Sequence, residues 1–204
     1  MREFFIKGGP IMWPLLICSI LSLAVTFERA RFWWQVTRLK DGSLLDTIFE
    51  RVEQGDHRGA LASGTEIRGI EGRVLMAGLA NHDHGLKESM EAEAVEQIEQ
   101  MNRGMNILDT IITMAPLLGI LGTVLGIIES FDLLSLSGIQ DPKAVIGGIS
   151  QALITTASGL TVALVTLIPF NYYTVRVERA TRRLEKTGTR FELAYLKGRA
   201  SREA

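Results

Sequence analysis

The chain has 204 residues, a net charge of −1, and a composition that is 47% hydrophobic and 22% charged. That length suits one sizeable domain, and the nearly neutral charge provides no basic surface of the kind that binds nucleic acid. The single cysteine, Cys18, excludes an intrachain disulfide.

Charged side chains are absent from three windows of the sequence, at residues 8–27, 110–128 and 144–175. The windows contain 20, 19 and 32 residues, and a helix of about 20 apolar residues crosses the core of a bilayer. We therefore expect an all-α membrane protein with three transmembrane helices. The predicted segments are an outer N-terminus at 1–7, transmembrane helix 1 at 8–27, a cytoplasmic helical region at 28–106, transmembrane helix 2 at 107–131, an outer loop at 132–143, transmembrane helix 3 at 144–172 and a cytoplasmic C-terminal helix at 173–204.

The orientation of these helices follows from the lysines and arginines near their ends. Three lie at the N-terminus and in the loop between helices 2 and 3, whereas eleven lie after helix 1, before helix 2 and after helix 3. Because cytoplasmic flanks carry the excess of positive charge, we place the N-terminus outside and the C-terminus in the cytoplasm.

The cytoplasmic region contains apolar residues at helical spacing. It predicts short helices at 44–52, 57–62 and 67–80, followed by a turn at 81–85. From Leu86 no strong helix breaker occurs before Pro116, so we expect one helix from Leu86 to Phe131. The apolar stripe of this helix needs neighbours to cover it, which favours an oligomeric bundle in which helices 2 and 3 extend into the cytoplasm.

Span three is predicted to begin near Pro142, because aspartate followed by proline, as in Asp141-Pro142, is typical of a helix N-terminus. Both span two and span three contain small residues suited to close helix contact. The glycines predicted to pack are Gly119, Gly122, Gly126 and Gly159.

Uncharged polar side chains also run through these two spans. A spanning helix turns such side chains toward other helices or toward water, so we expect a pore lined by Thr123, Gln151, Thr155, Thr156 and Ser158. Threonine cannot carry a proton itself, and residues 110–128 and 144–175 contain no acid or base. Another chain must therefore supply the titrating group if protons cross here. Glu129 and Asp132, at the outer edge of span two, are expected to attract cations to the pore mouth, with a solvated helix end as the alternative.

Two segments resemble the signature membrane segments of the MotA/TolQ/ExbB proton-channel family. They are LLGILGTVLGIIESF at 117–131 and SQALITTASGL at 150–160. The three predicted spans and the short outer loop resemble the ExbB and TolQ branch more than the four-span MotA stators.

The resemblance implies a homopentamer in the bacterial inner membrane, with periplasmic outer segments. The pentamer would surround a dimer of a single-span ExbD/TolR-like subunit, whose aspartate enters the pore. Work would pass to a TonB-like periplasm-spanning protein. The family's pore threonines match Thr123 and Thr156. The proton is the expected transported ion, and no cofactor is expected.

One departure from the family pattern is Gln151, which stands where many ExbB-type relatives have a glutamate. An amide cannot titrate, so a proton step at that position does not carry over. A TolQ-like envelope motor, a gliding motor, sodium in place of the proton, and a passive scaffold stay open as alternatives. A membrane enzyme is disfavoured, because His82-x-His84 is the only candidate metal pair and no catalytic or metal site is expected.

Overall fold

The computed structural model describes residues 8–38, 42–65, 67–137 and 142–203. These residues form helices joined by short turns, without a β-strand in any of the four ranges, which confirms the all-α prediction. The helices are α1 (Met12–Arg38), α2 (Gly42–Glu53), α3 (His57–Gly64), α4 (Ile70–Ala80), α5 (His82–Asn102), α6 (Met105–Ser137) and α7 (Pro142–Glu203). Asp141, the expected N-cap of α7, lies outside the described residues.

The described residues fall into two compact units. The apolar unit comprises those of Met1–Arg29 and Gly104–Tyr173, and the polar unit comprises those of Ala30–Arg103 and Thr174–Ala204. In the apolar unit, three helices contribute to one core: Met12, Leu15 and Cys18 from α1, Ile111 and Ala115 from α6, and Ala163 from α7. The apolar unit is therefore a three-helix arrangement with its core drawn from each helix.

The polar unit has a core of its own. Ile48 and Val52 of α2 and Phe191 of α7 are fully buried. The ring of Phe49 meets that of Phe191 edge-on, with 5.5 Å between the centroids. The glycine that follows α2, Gly55, has a φ of +76°, a conformation that a residue with a Cβ rarely adopts. The short helices predicted at 44–52, 57–62 and 67–80 correspond to α2, α3 and α4.

The prediction of one continuous helix from Leu86 to Phe131 is wrong. Helix α5 ends at Asn102, and α6 begins at Met105. Between them Gly104 has a φ of +78°, which lies in the left-handed region and interrupts the helical hydrogen bonds. The predicted turn at 81–85 is also largely helical, since α5 begins at His82 and only Gly85 departs, with a φ of +142°.

Two helical stretches of the described residues are long and apolar enough to cross a membrane. They lie within His82–Asp132 and Ile146–Ser201, and so correspond to predicted helices 2 and 3. Helix α1 is not one of these two stretches. The first transmembrane span therefore stays a prediction.

Candidate functional site

Helices α6 and α7 approach each other closely along a row of small residues. A Cβ at Gly119 would stand 3.1 Å from the Cα of Thr156, and one at Gly126 would stand 2.8 Å from the carbonyl oxygen of Gly148. Gly159 lies against the Ala115 carbonyl and the Gly119 backbone. Higher numbers on α6 thus face lower numbers on α7, so the two helices run antiparallel with their backbones in near contact.

Thr155 lies inside this interface and has no exposed surface. Its hydroxyl lies 2.8 Å from the Gly8 carbonyl oxygen and 2.8 Å from the carbonyl oxygen of Gln151, one turn earlier on α7. On the opposite side it packs against Gly122, where any side chain would collide with it. Thr155 therefore joins the segment before α1 to the pair formed by α6 and α7.

Thr123, Thr156 and Ser158 are half-buried, and each donates its hydroxyl hydrogen to a main-chain carbonyl. Thr156 bonds across the interface to the Gly119 oxygen at 3.0 Å. Thr123 bonds to the Ile120 oxygen at 2.6 Å, and Ser158 bonds to the Ile154 oxygen at 2.8 Å. A hydroxyl whose hydrogen is used in this way still has lone pairs to accept a hydrogen bond from water or from a protonated carboxyl group.

Gln151 and Glu129 meet at the end of the interface near Gly9. The amide nitrogen of Gln151 donates to a Glu129 carboxylate oxygen across 3.4 Å. Gly9 lies directly over this amide with a φ of +73°, so both its backbone and its lack of a side chain fit the position. Glu129 and Asp132 are exposed, and the structure thus brings one predicted pore residue, Gln151, into contact with one predicted mouth residue.

Two further polar contacts of the apolar unit were not predicted from the sequence. The hydroxyls of Ser22 on α1 and Thr166 on α7 are hydrogen-bonded at 2.7 Å, and both residues are buried. Ser130 is also buried and donates to the Gly126 carbonyl at 2.8 Å. The sequence shows that each uncharged window contains hydroxyl side chains. Which of them pair between helices distant in the sequence, as Ser22 and Thr166 do, is seen only in the tertiary structure.

The candidate metal pair lies in the polar unit. The Nδ1 atom of His82 lies 2.8 Å from the Leu79 carbonyl oxygen, and its Nε2 lies 3.4 Å from an Asp83 carboxylate oxygen. Among the described residues, no three histidine, cysteine or acidic side chains are placed to hold a metal ion together.

The long apolar helices, the near contact of two backbones and the uncharged hydroxyls between them are features of a helical membrane protein. The sequence profile described as the MotA/TolQ/ExbB proton channel family matches residues 66–186.

Three relatives illustrate how far the similarity extends. The ExbB-like 1 biopolymer transport protein of Synechocystis is 36% identical over 94% of this chain and 77% of its own length. ExbB-like 3 of the same organism is 31% identical over 92% of this chain and 91% of its own length. The biopolymer transport protein exbB1 of Vibrio cholerae is 30% identical over 88% of this chain and 81% of its own length.

The chain belongs to the MotA/TolQ/ExbB proton channel family. Members of this family are subunits of inner-membrane proton channels rather than enzymes, and the relatives share the name of biopolymer transport proteins.

Proposed function

We propose that this chain is an ExbB-like channel subunit that couples the proton motive force to a TonB-type protein for energised import. In this proposal five copies, each with three transmembrane helices and a periplasmic N-terminus, surround a dimer of an ExbD/TolR-like subunit. Family membership supports the channel function, and the names of the relatives favour transport over a TolQ-like envelope motor or a gliding motor.

The observation that carries the proposal is a hydroxyl surface without an ionisable group. Thr123 and Thr156 lie half-buried beside the small-residue row of α6 and α7, and residues 110–128 and 144–175 contain no acid or base. Such a surface can accept hydrogen bonds from a protonated carboxyl group but cannot replace it. A partner's aspartate would complete the pathway.

The other predicted site residues take different roles in this proposal. Gln151 and Ser158 contribute to the pathway, while Thr155 positions the helices because it is fully buried and its hydroxyl contacts two carbonyl oxygens inside the subunit. Glu129 and Asp132 lie at the periplasmic mouth and raise the local concentration of cations there. The proton is the transported ion, and no cofactor takes part.

Proton flux through the reconstituted complex tests the proposal. The chain is co-expressed with its ExbD/TolR-like partner, purified, and placed in liposomes that contain a pH-sensitive dye. Replacing both hydroxyls, Thr123→Val with Thr156→Val, should lower the flux about tenfold or more. The reason is that a hydrogen bond to a charged or proton-sharing group contributes roughly 1.5 kcal/mol or more, and 1.4 kcal/mol of barrier is a factor of ten in rate.

The control is Thr161→Val, because Thr161 is exposed on α7 and donates to the Ala157 oxygen at 2.7 Å, four residues earlier, much as Thr123 donates to the Ile120 oxygen three residues earlier. Thr156→Ser keeps a hydroxyl and should retain most of the flux. An assembled double variant that conducts as the wild type does would instead favour the passive scaffold. Flux that follows a sodium gradient would contradict the choice of ion.

A further inference from the structure

A pocket in the polar unit is lined by the end of α1, the start of α4 and the end of α5. It has a volume of about 200 Å³. The residues that define its character are Phe32, Gln35, Arg68, Arg73, Gln97 and Gln100. Arginines, carboxamides and apolar side chains make up the described part of the lining, and no acidic residue is among those described residues.

The charge of the pocket suits an anion. Arg68 and Arg73 approach it from the segment that begins α4, and Arg73 makes no ion pair with any described residue. A guanidinium group presents its N–H donors in a planar fork that matches the oxygens of a phosphate. Two such groups on one pocket bring two positive charges to a single ligand.

One polar side chain that lines the pocket, Gln97, is held in place by burial and a hydrogen bond. Gln97 is only 4% exposed, and its amide nitrogen donates to a Glu93 carboxylate oxygen at 2.8 Å. Helix α4 starts at the pocket, and its N-cap residue, Gly69, has no side chain with which to cap the first turn. The first N–H groups of a helix favour an anion, although Glu71 in that turn offsets part of the effect.

The position of the pocket along α1 indicates the source of the anion. Phe32 follows the predicted end of transmembrane helix 1 by five residues, which is about 7 Å along a helix. The headgroup layer of a bilayer begins at the edge of the hydrocarbon core and is roughly 5–8 Å deep. Phe32 and Val36 then offer apolar contact at the level where the acyl chains meet the headgroups.

We propose that this pocket binds the phosphate of an anionic phospholipid from the cytoplasmic leaflet. Arg68 and Arg73 hold the phosphate oxygens, the carboxamides contact the remainder of the headgroup, and the apolar edge faces the upper part of the acyl chains. The proposal rests on the membrane placement given under the proposed function, since a lipid headgroup reaches the pocket only if α1 crosses the bilayer.

The test measures lipid retained by the purified full chain with its partner, in nanodiscs that mix phosphatidylglycerol with an excess of phosphatidylcholine. Native mass spectrometry counts the lipids on each complex. We expect one phosphatidylglycerol per chain in the wild type. The variant with Arg68→Gln and Arg73→Gln should bind it about 30-fold more weakly, because each basic residue at an anionic surface contributes on the order of fivefold.

Two control variants distinguish lipid binding in the pocket from non-specific attraction of the lipid by positive charge. The variant with Arg58→Gln and Arg183→Gln loses the same charge at exposed positions outside the pocket, and it should retain the lipid. Arg73→Lys keeps the charge but loses the planar fork, and it should weaken binding by a smaller factor. Equal loss in both double variants would overturn the site.

Two other results would overturn the proposal. Inorganic phosphate or glycerol 3-phosphate that displaces the lipid at micromolar concentration in detergent would show that the pocket takes a soluble anion. Retention unaffected by the pocket arginines would show that the headgroup binds elsewhere. Proton flux through the same purified complexes in dye-loaded liposomes separates this proposal from the proposed function, because lipid retention with no dependence of flux on Thr123 and Thr156 would contradict only the latter.

Discussion

Gly147 and Gly148 are consecutive residues of α7 that differ in what a side chain would meet. In the described structure a Cβ at Gly147 has no neighbour within 4 Å, whereas one at Gly148 would stand 2.7 Å from the Gly126 carbonyl oxygen and collide with Ser130 Oγ. The variants Gly148→Ala and Gly147→Ala therefore make the same chemical change at the same depth. Only the first changes the contact between α6 and α7.

The magnitude follows from the geometry. An ordinary contact at a Cβ begins near 3.4 Å, so the Gly126 carbonyl must retreat by about 0.7 Å. A gap of that size removes roughly a quarter to a half of the dispersion energy of each atom pair it separates, and overpacking of this kind costs about 1–3 kcal/mol. Both variants share the gain in helix propensity of up to about 1 kcal/mol. Their difference consequently isolates the packing cost.

The assay uses the single cysteine of the chain. Cys18 is 9% exposed and lies in the core of the apolar unit, so a fluorogenic maleimide reacts with it as that core opens on heating. For a chain of this length, 1–3 kcal/mol corresponds to a Tm lower by roughly 2–12 °C. We expect Gly148→Ala to melt lower than Gly147→Ala by an amount in this range. Equal melting temperatures, or a higher one for Gly148→Ala, would refute the close approach of the two helices.

Two further predictions use the same thiol assay. A double-mutant cycle of Ser22→Ala and Thr166→Val should give a coupling free energy of about 0.6–1.7 kcal/mol, because these buried hydroxyls bond at 2.7 Å and hydrogen bonds between membrane helices have about that strength; additive effects would contradict the bond. Gly104→Ala should destabilise by about 1–2 kcal/mol, the cost of placing a Cβ at a left-handed φ, here +78°. The helical control Gly188→Ala, which meets no described neighbour within 4 Å, should be neutral or stabilising, and an equally stable Gly104→Ala would contradict the conformation of the linker.

The sequence predicted the helices of the cytoplasmic region because strong local signals bound them. Gly55 separates α2 from α3, and its φ of +76° shows that the glycine is required there. The break at Gly104 was missed because a lone glycine is tolerated within a helix, and the weak stop signal of Arg103 followed by Gly104 was outweighed by the apolar stripe that continues beyond it. Local patterns therefore predict where helices form better than where one helix is divided in two.

The hydroxyl stripe of α7 shows a second limit. Successive residues of a helix point about 100° apart, so Thr155 and Thr156 cannot face the same surface. The structure buries Thr155 against Gly122 and leaves Thr156 half-buried beside Gly119. Composition identified both as polar residues in an apolar window, but the rotation of α7 against α6 depends on which small residues meet.

The hydroxyl hydrogens of Thr123, Thr156 and Ser158 all end on main-chain carbonyls. Each hydroxyl therefore presents its oxygen, the negative end of the O–H dipole, to its surroundings. A passage bordered by such oxygens repels chloride and attracts cations and hydrogen-bond donors, as rings of carbonyl oxygen do in cation channels. In the channel proposed above, selection by the sign of the permeating charge would thus arise from the direction of hydrogen bonds within the chain, without a charged side chain among these three residues.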